Sequence, residues 1–233
     1  MRKIGKNVVI PDNCVLYDDI EIHDNVVLHN HVVIYPKTVL ESGAEIFDNC
    51  VLGKLPLTPG CTAKKYDGVY KKTVIGRDCI LCPGVVIYTG TEIKENTLIG
   101  DNSSVREDCS IGAYDVIGRN VTINYETIVG NQTKIMDGAH ITGNMYIGNH
   151  VFISVLVSST NDNSMGRESD AVENLKGPYI SDYVTIGAGA SILPGVKIGE
   201  NCIIGAMALV TKDVASNKVV MGVPARVVRE VDM

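Results

Sequence analysis

An aliphatic residue recurs at every sixth position of this chain, and that beat limits the folds open to it. One run goes from Ile4 to Leu52, a second from Ile75 to Ile153 and a third from Ile180 to Val210. The second alone keeps fourteen aliphatic residues in strict register. A period of six suits neither an α-helix nor an alternating strand. It is the period of a hexapeptide β-helix, in which each repeat is one short strand and one turn of a coil.

The remaining slots of the repeat fit the same coil. Four residues after each aliphatic position stands a small or β-branched residue, such as Val8, Cys14, Ala44, Ser103, Ala139 or Ala190. Such residues fill the interior corner of a narrow prism. Three residues after the aliphatic position, Asn, Asp or Gly dominates, as at Asn7, Asn13, Asn25, Asn102, Gly138 and Gly195. These types tolerate the left-handed backbone of tight turns. Asp115 and Met145 break the small-residue rule and imply local bulges. Three faces per coil make an eighteen-residue rung, and twenty-nine beats make about ten coils. The fold class is therefore all-β: a parallel β-helix spanning residues 1–215, with a short C-terminal extension, residues 216–233.

Composition excludes several functions. With 2 Phe and no Trp the core is aliphatic, as a narrow solenoid requires. A net charge of -6 argues against a nucleic-acid surface. No apolar stretch is long enough to span a bilayer, and the first residues lack the apolar segment of a signal peptide, so no membrane partner and a cytoplasmic location are expected. Cys14, Cys50, Cys79, Cys109 and Cys202 fall in the interior slot as compact apolar residues. The Cys79–Cys82 pair is then a by-product of the repeat, and Cys61 is the one thiol expected to react readily. The odd number of cysteines suits a reducing compartment.

The beat stops twice, opening loops over residues 53–74 and 158–179. Insertions on a solenoid collect outside the prism and often carry function. The first loop is rich in lysine (Lys54, Lys64, Lys65, Lys71, Lys72), a composition suited to phosphate groups or simply to a solvated surface. The second is rich in hydrogen-bonding side chains, with Arg167 and Lys176 adding positive charge for a substrate. At ~4.8 Å per rung the two loops should stand roughly 20 Å apart. Rung arithmetic puts His140 beneath Ser158, at the root of the second loop, and Asp137 beneath Val155. His140 precedes an inward Ile141 and so points outward: a candidate general base, or a surface histidine without a role. His31 and His150 occupy turn slots, and His23 and His29 lie outward on successive faces.

The stretch IGAGASILPGVKIGENCIIGAMALVTKDVASNKVVMGVPARVVRE, residues 186–230, resembles the hexapeptide-repeat acyltransferases, whose β-helix is left-handed. Residues 151–167, VFISVLVSSTNDNSMGR, look like a subgroup that includes N-acetyltransferases of nucleotide-linked amino sugars. The resemblance implies a homotrimer with acetyl-CoA and a small-molecule acceptor held between neighbouring chains. It places the pantetheine arm along Ala188 and Ala206, and CoA phosphates near Lys212 and Arg226. Where related sugar O-acetyltransferases carry a loop histidine, this chain has Asn161 followed by Asp162. An amine acceptor needs a weaker base than a hydroxyl does, so the loop tilts the expectation toward N-acetylation, with Asn161 and Asp162 orienting the amine and Asp162 or His140 taking its proton. The alternatives are O-acetylation of a sugar or serine hydroxyl with His140 as base, a zinc carbonic anhydrase on the same solenoid, and a non-catalytic assembly module. The histidine spacing offers no clear trio for zinc.

Overall fold

A computed structural model describes residues 1–59, 65–165, 167 and 174–232. Cys61 and Lys64 lie outside the described residues. The expected architecture is the one found: an all-β, left-handed parallel β-helix. Among the described residues its strands stack into three sheets of ten, eleven and ten strands. The chain visits the first, second and third sheet in turn, which defines a first corner (first to second sheet), a second (second to third) and a third (third back to first).

Stacked partners are eighteen residues apart, as in Ile22 with Leu40 and Ile99 with Ile117. The inward aliphatic residues pile into one continuous core, with Ile34, Ile99 and Ile186 each at 0% exposure. The first rung is different: Ile4 is 50% exposed because nothing stacks below it. At the far end, Lys218–Met221 pairs in parallel with Ile203–Ile204, and Arg226–Glu230 folds back antiparallel on it.

Turn slots adopt the left-handed conformation, including Asn7, Asn25, Asn102, His31 and His150, although Asn13 does not. The bulges expected at Asp115 and Met145 are absent. Val116 and Tyr146 keep regular register with their neighbours, and the parallel register slips instead between Ile87 and Tyr88. Met145, unbranched and flexible, is accommodated at 2% exposure.

Asp115 is accommodated by a hydrogen-bond ladder inside the prism. Interior Ser, Thr and Cys donate to the carbonyl fifteen residues on: Thr97 to Gly112 (2.9 Å), Ser103 to Gly118 (2.7 Å), Thr133 to Gly148 (2.9 Å) and Cys109 to Asn124 (3.1 Å). The same oxygens accept from the amide of the next rung, as Thr97 does from Asp115 (3.1 Å). Asp115 Oδ1 likewise accepts from the Thr133 amide at 2.7 Å, while Oδ2 is buried without an acceptor's partner among the described residues. Burial pushes the Asp115 carboxyl up to about 7. A proton on Oδ2 would complete the ladder by donating fifteen residues on, to Gly130.

The folded-state pKa lies above the unfolded value near 3.8, so the sign is fixed. Stability from this group is complete in acid and lost as pH rises from about 4 to about 7, by up to about 4 kcal/mol. Asp115→Asn keeps the shape and a donor, and should flatten that slope in urea unfolding measured across this pH range.

Candidate functional site

Both loops leave the prism at the third corner. The first departs after Val51–Lys54 on the third sheet and returns at Thr73–Ile75 on the first. The second departs after Ser158–Ser159 and returns at Tyr179–Ile180, on the same two sheets. Five rung steps separate the departing strands, about 24 Å at ~4.8 Å each. The lysines of the first loop are partly engaged: Lys71 pairs with Asp108 at 2.7 Å, and Lys54 lies 5.3 Å from the centre of the Tyr88 ring.

On the third sheet an outward column of β-branched residues, Val15, Val33, Val51 and Val86, gives way to Ser104, Thr122, His140, Ser158 and Ser191. His140 stands in the middle of this polar stretch and stacks on Ser158. Its Nδ1 is 2.7 Å from Thr122 Oγ1, and Ser158 and Ser191 hydroxyls are 3.1 Å apart. His140 is exposed, yet the groups packed around it remove enough water to lower its pKa below the usual imidazole value. The neutral ring is therefore favoured. In the tautomer whose Nδ1–H donates to Thr122, Nε2 keeps its lone pair for a substrate proton.

The second loop holds itself together with the residues expected to meet the acceptor. The Asn161 side-chain amide donates to the Gly143 carbonyl (3.3 Å) and the Tyr125 hydroxyl (3.4 Å), and the Asn161 backbone carbonyl accepts from the Lys176 amide (2.9 Å). Asp162 Oδ1 accepts from both the amide (2.7 Å) and hydroxyl (2.6 Å) of Ser164. Asp137 is held by Arg119, whose backbone amide (2.8 Å) and guanidinium (3.0 Å) both bond it and keep its carboxyl below the usual range. The side chains of Arg167 and Lys176 are exposed. Beneath the loop, the buried Asn144 Oδ1 has no partner among the described residues. Tyr125, Thr122 and Asn144 were not singled out in the sequence. Rung arithmetic from His140 and Asn161 would have reached Thr122 and, one rung further back, Tyr125.

The second corner carries the least expected feature. At the first corner, several amides just before a turn residue are capped by a side chain one rung on: Ala113 by Asn131 (2.9 Å), Asn131 by Asn149 (2.9 Å) and Asn149 by Asp182 (2.8 Å), whereas those of Glu95, Asp182 and Glu200 have no partner among the described residues. At the second corner Asp48 caps Asn30 (3.1 Å) and Asp137 caps Arg119 (2.8 Å) in the same way, while the amides of Asp48, Asp101 and Asp137 themselves have no partner among the described residues. The equivalent residues above Asp137 are Val155, Ala188 and Ala206, whose side chains cannot accept. The amides of Val155, Ala188 and Ala206 have no hydrogen-bond partner among the described residues. They rise one rung at a time from the level just above His140. Gly187 keeps the column open, since a Cβ there would stand 2.5 Å from the Ala206 nitrogen. Beyond Ala206, Lys212, Lys218 and Arg226 line one shallow cavity of about 430 Å³. The structure thus brings Lys212 and Arg226 together, and joins His140 to Ala188 and Ala206 along one side of the prism. No cluster of His, Cys, Asp and Glu able to hold a metal occurs among the described residues.

Residues 3–36 and 177–212 match the family model "Bacterial transferase hexapeptide (six repeats)". A Schizosaccharomyces pombe protein named "Putative acetyltransferase C18B11.09c" is 31% identical over 74% of this chain and 82% of its own length. The galactoside O-acetyltransferase of Lactococcus lactis is 38% identical over 49% of this chain and 55% of its own length. Among solved structures, an Arabidopsis UDP-N-acetylglucosamine acyltransferase superposes with a TM-score of 0.56 at 16% identity, covering 96% of this chain and 74% of that one, which speaks for the fold. The chain belongs to the bacterial transferase hexapeptide family, and its class is acetyltransferase. Among the described residues no helix is long and apolar enough to cross a membrane.

An NMR titration should place the His140 midpoint below 6.5, the value of a free imidazole. A midpoint at or above that value would mean the ring is not the water-depleted base described.

Proposed function

We propose that this protein transfers an acetyl group from acetyl-CoA to a hydroxyl of a small polar acceptor, with His140 as general base. The observation that carries the proposal is the column of uncapped amides at Val155, Ala188 and Ala206. Amides without partners at the surface call for a ligand with acceptors at rung spacing, ~4.8 Å. The two amide carbonyls of pantetheine are four bonds apart, about 4.7 Å at the ~3.5 Å per three bonds of an extended chain. With the phosphates near Lys212 and Arg226, an arm laid down this column would carry its thioester toward the rung of His140.

The chemistry follows from that placement. Neutral His140 takes the hydroxyl proton, the oxygen attacks the thioester carbonyl, and a tetrahedral oxyanion forms beside backbone N–H groups. Collapse breaks the C–S bond, and the imidazolium returns its proton to the departing thiolate. Acceptor and thioester held at one site supply much of the rate by proximity. The flat sheet faces carry exposed apolar residues, Ile80 and Phe152 on the second and Ile128 and Tyr179 on the first, which suits a homotrimer with grooves between chains.

The amine of a nucleotide-linked amino sugar is the second reading. Its support is the pair of exposed cations, Arg167 and Lys176, which suit a diphosphate. The engagement of Asn161 and Asp162 within the loop weighs against it, because it leaves His140 as the base. Galactoside O-acetyltransferases among the relatives add weight to the hydroxyl.

Purified protein incubated with acetyl-CoA and a panel of sugars, amino sugars and their nucleotide derivatives should release free thiol with a hydroxyl acceptor. Silence across the whole panel would discard the proposal. His140→Ala should cut hydroxyl transfer by about 10²–10⁴. Amine transfer would instead recover as pH is raised. Ala206→Asn copies the capping pattern of the first corner onto Ala188; the fold should melt no lower, while coenzyme A should lose its effect on the melting temperature.

A further inference from the structure

The residue after each uncapped amide is a turn residue in the left-handed conformation. Along the second corner these positions are His31, Asn49, Gly84, Asn102, Asn120 and Gly138, then Leu156, Gly189 and Met207. His, Asn and Gly are at home there. Leu156 and Met207 are not: both sit at φ 58, a conformation in which a Cβ crowds the backbone. Neither gains core burial in exchange, for Leu156 is 68% and Met207 71% exposed. Two bulky apolar side chains are thus held in strained turns, facing solvent, beside the two ends of the amide column.

Their directions are fixed by the glycines they alternate with. Leu156 Cδ2 lies 2.8 Å from where a Cβ on Gly138 would stand, and Met207 Sδ 2.5 Å from where one on Gly189 would stand. Each long side chain therefore lies back along the corner, across the glycine of the rung before it. The result is an apolar strip from Gly138 to Met207, running beside the amides of Val155, Ala188 and Ala206.

We infer that Leu156 and Met207 form the apolar wall of the cofactor channel, pressing the methylene segments of the pantetheine arm against the open amides. The inference rests on the acetyl-CoA proposal above and adds the residues that set cofactor affinity. Pantetheine has one requirement of each kind: two amides that need donors, and methylenes and a thioethyl end that need apolar cover. A wall that excludes water also strengthens the amide hydrogen bonds it flanks. Met207, nearer the phosphates, has the flexible thioether that adapts to a moving chain. Leu156 is nearer His140 and the thioester. Strain kept at two turns, with no return in folding, then has its return in binding.

The test separates binding from folding and from assembly. Leu156→Asn and Met207→Asn restore the residue used elsewhere in the same column, so each protein should melt at the same temperature as the parent or higher. The dissociation constant for coenzyme A, measured by calorimetry, should rise roughly tenfold in each variant, the effect expected from uncovering part of one apolar side chain. Leu156→Met should retain affinity. Unchanged affinity in both Asn variants would overturn the inference. Unchanged affinity together with loss of the parent's sedimentation behaviour would show the strip to be a contact between copies of this chain, which also overturns it. If the parent itself binds no coenzyme A, the acetyl-CoA proposal fails as well, a result distinct from a parent that binds and variants that bind equally.

Discussion

Everything in this molecule depends on one repeated contact: an inward aliphatic side chain resting on the one eighteen residues away. A narrow prism has no second core to fall back on, so each rung is stabilised only by its two neighbours. Removing one such side chain would cost about 2–5 kcal/mol and would weaken both interfaces of its rung. The turns, the interior hydroxyl ladder and the outward columns follow from keeping that stack in register. Loops can be inserted without disturbing it provided the chain returns to the next sheet in phase. It does so both times, with Leu52 stacking on Ile87 and Ile153 on Ile186.

Because register is so strictly kept, a surface column becomes a functional unit. A change of residue type along one column changes chemistry along a straight line, at a spacing set by the strands. The third sheet moves from Val86 to Ser104, Thr122 and His140, turning an apolar face into a hydrogen-bonded one. The second corner moves from Asp137, whose carboxylate caps the Arg119 amide, to Val155, Ala188 and Ala206, whose side chains cap nothing. His140, in the polar stretch, and Val155, the first of the three amides, lie on adjacent rungs. At some other corners of the prism a side chain satisfies the amide of the rung below. Leaving three amides open gives that up where a ligand with acceptors at the same spacing would replace it.

The sequence disclosed the scaffold because period, turn chemistry and core slot are all local properties. It disclosed His140 through arithmetic on the rung length, and the stacking of His140 on Ser158 bears that arithmetic out. The same arithmetic shows that both loops leave from one corner, since Leu52 and Ser159 occupy equivalent places on the third sheet. What the letters concealed was the use to which polar groups are put. Asp115 reads as a misfit in a small slot, and only the ladder of Thr97 and Thr133 around it explains why a carboxyl belongs there. Asn161 and Asp162 stand out through the family resemblance, at the place where related sugar O-acetyltransferases carry a loop histidine. Their partners, Gly143, Tyr125 and Ser164, are set by loop conformation, which no periodic pattern encodes. The cysteines read as compact apolar residues, and Cys109 and Cys202 also donate to carbonyls of the next rung.

The choice between a hydroxyl and an amine acceptor comes down to what remains available once the loop has satisfied itself. An amine with a pKa somewhat above neutral is partly deprotonated in solution and needs mainly to be oriented. A hydroxyl needs its proton removed as the C–O bond forms, by a base that is neutral at working pH and fixed in direction. The Asn161 side-chain amide donates to Gly143 and Tyr125 on the prism, and Asp162 Oδ1 accepts from Ser164 within the loop. His140 is the proposed base: Thr122 holds one ring nitrogen, and partial dehydration lowers the pKa of the ring. The proposed hydroxyl acceptor rests on that difference in the base required, against the tilt that the loop residues alone suggest.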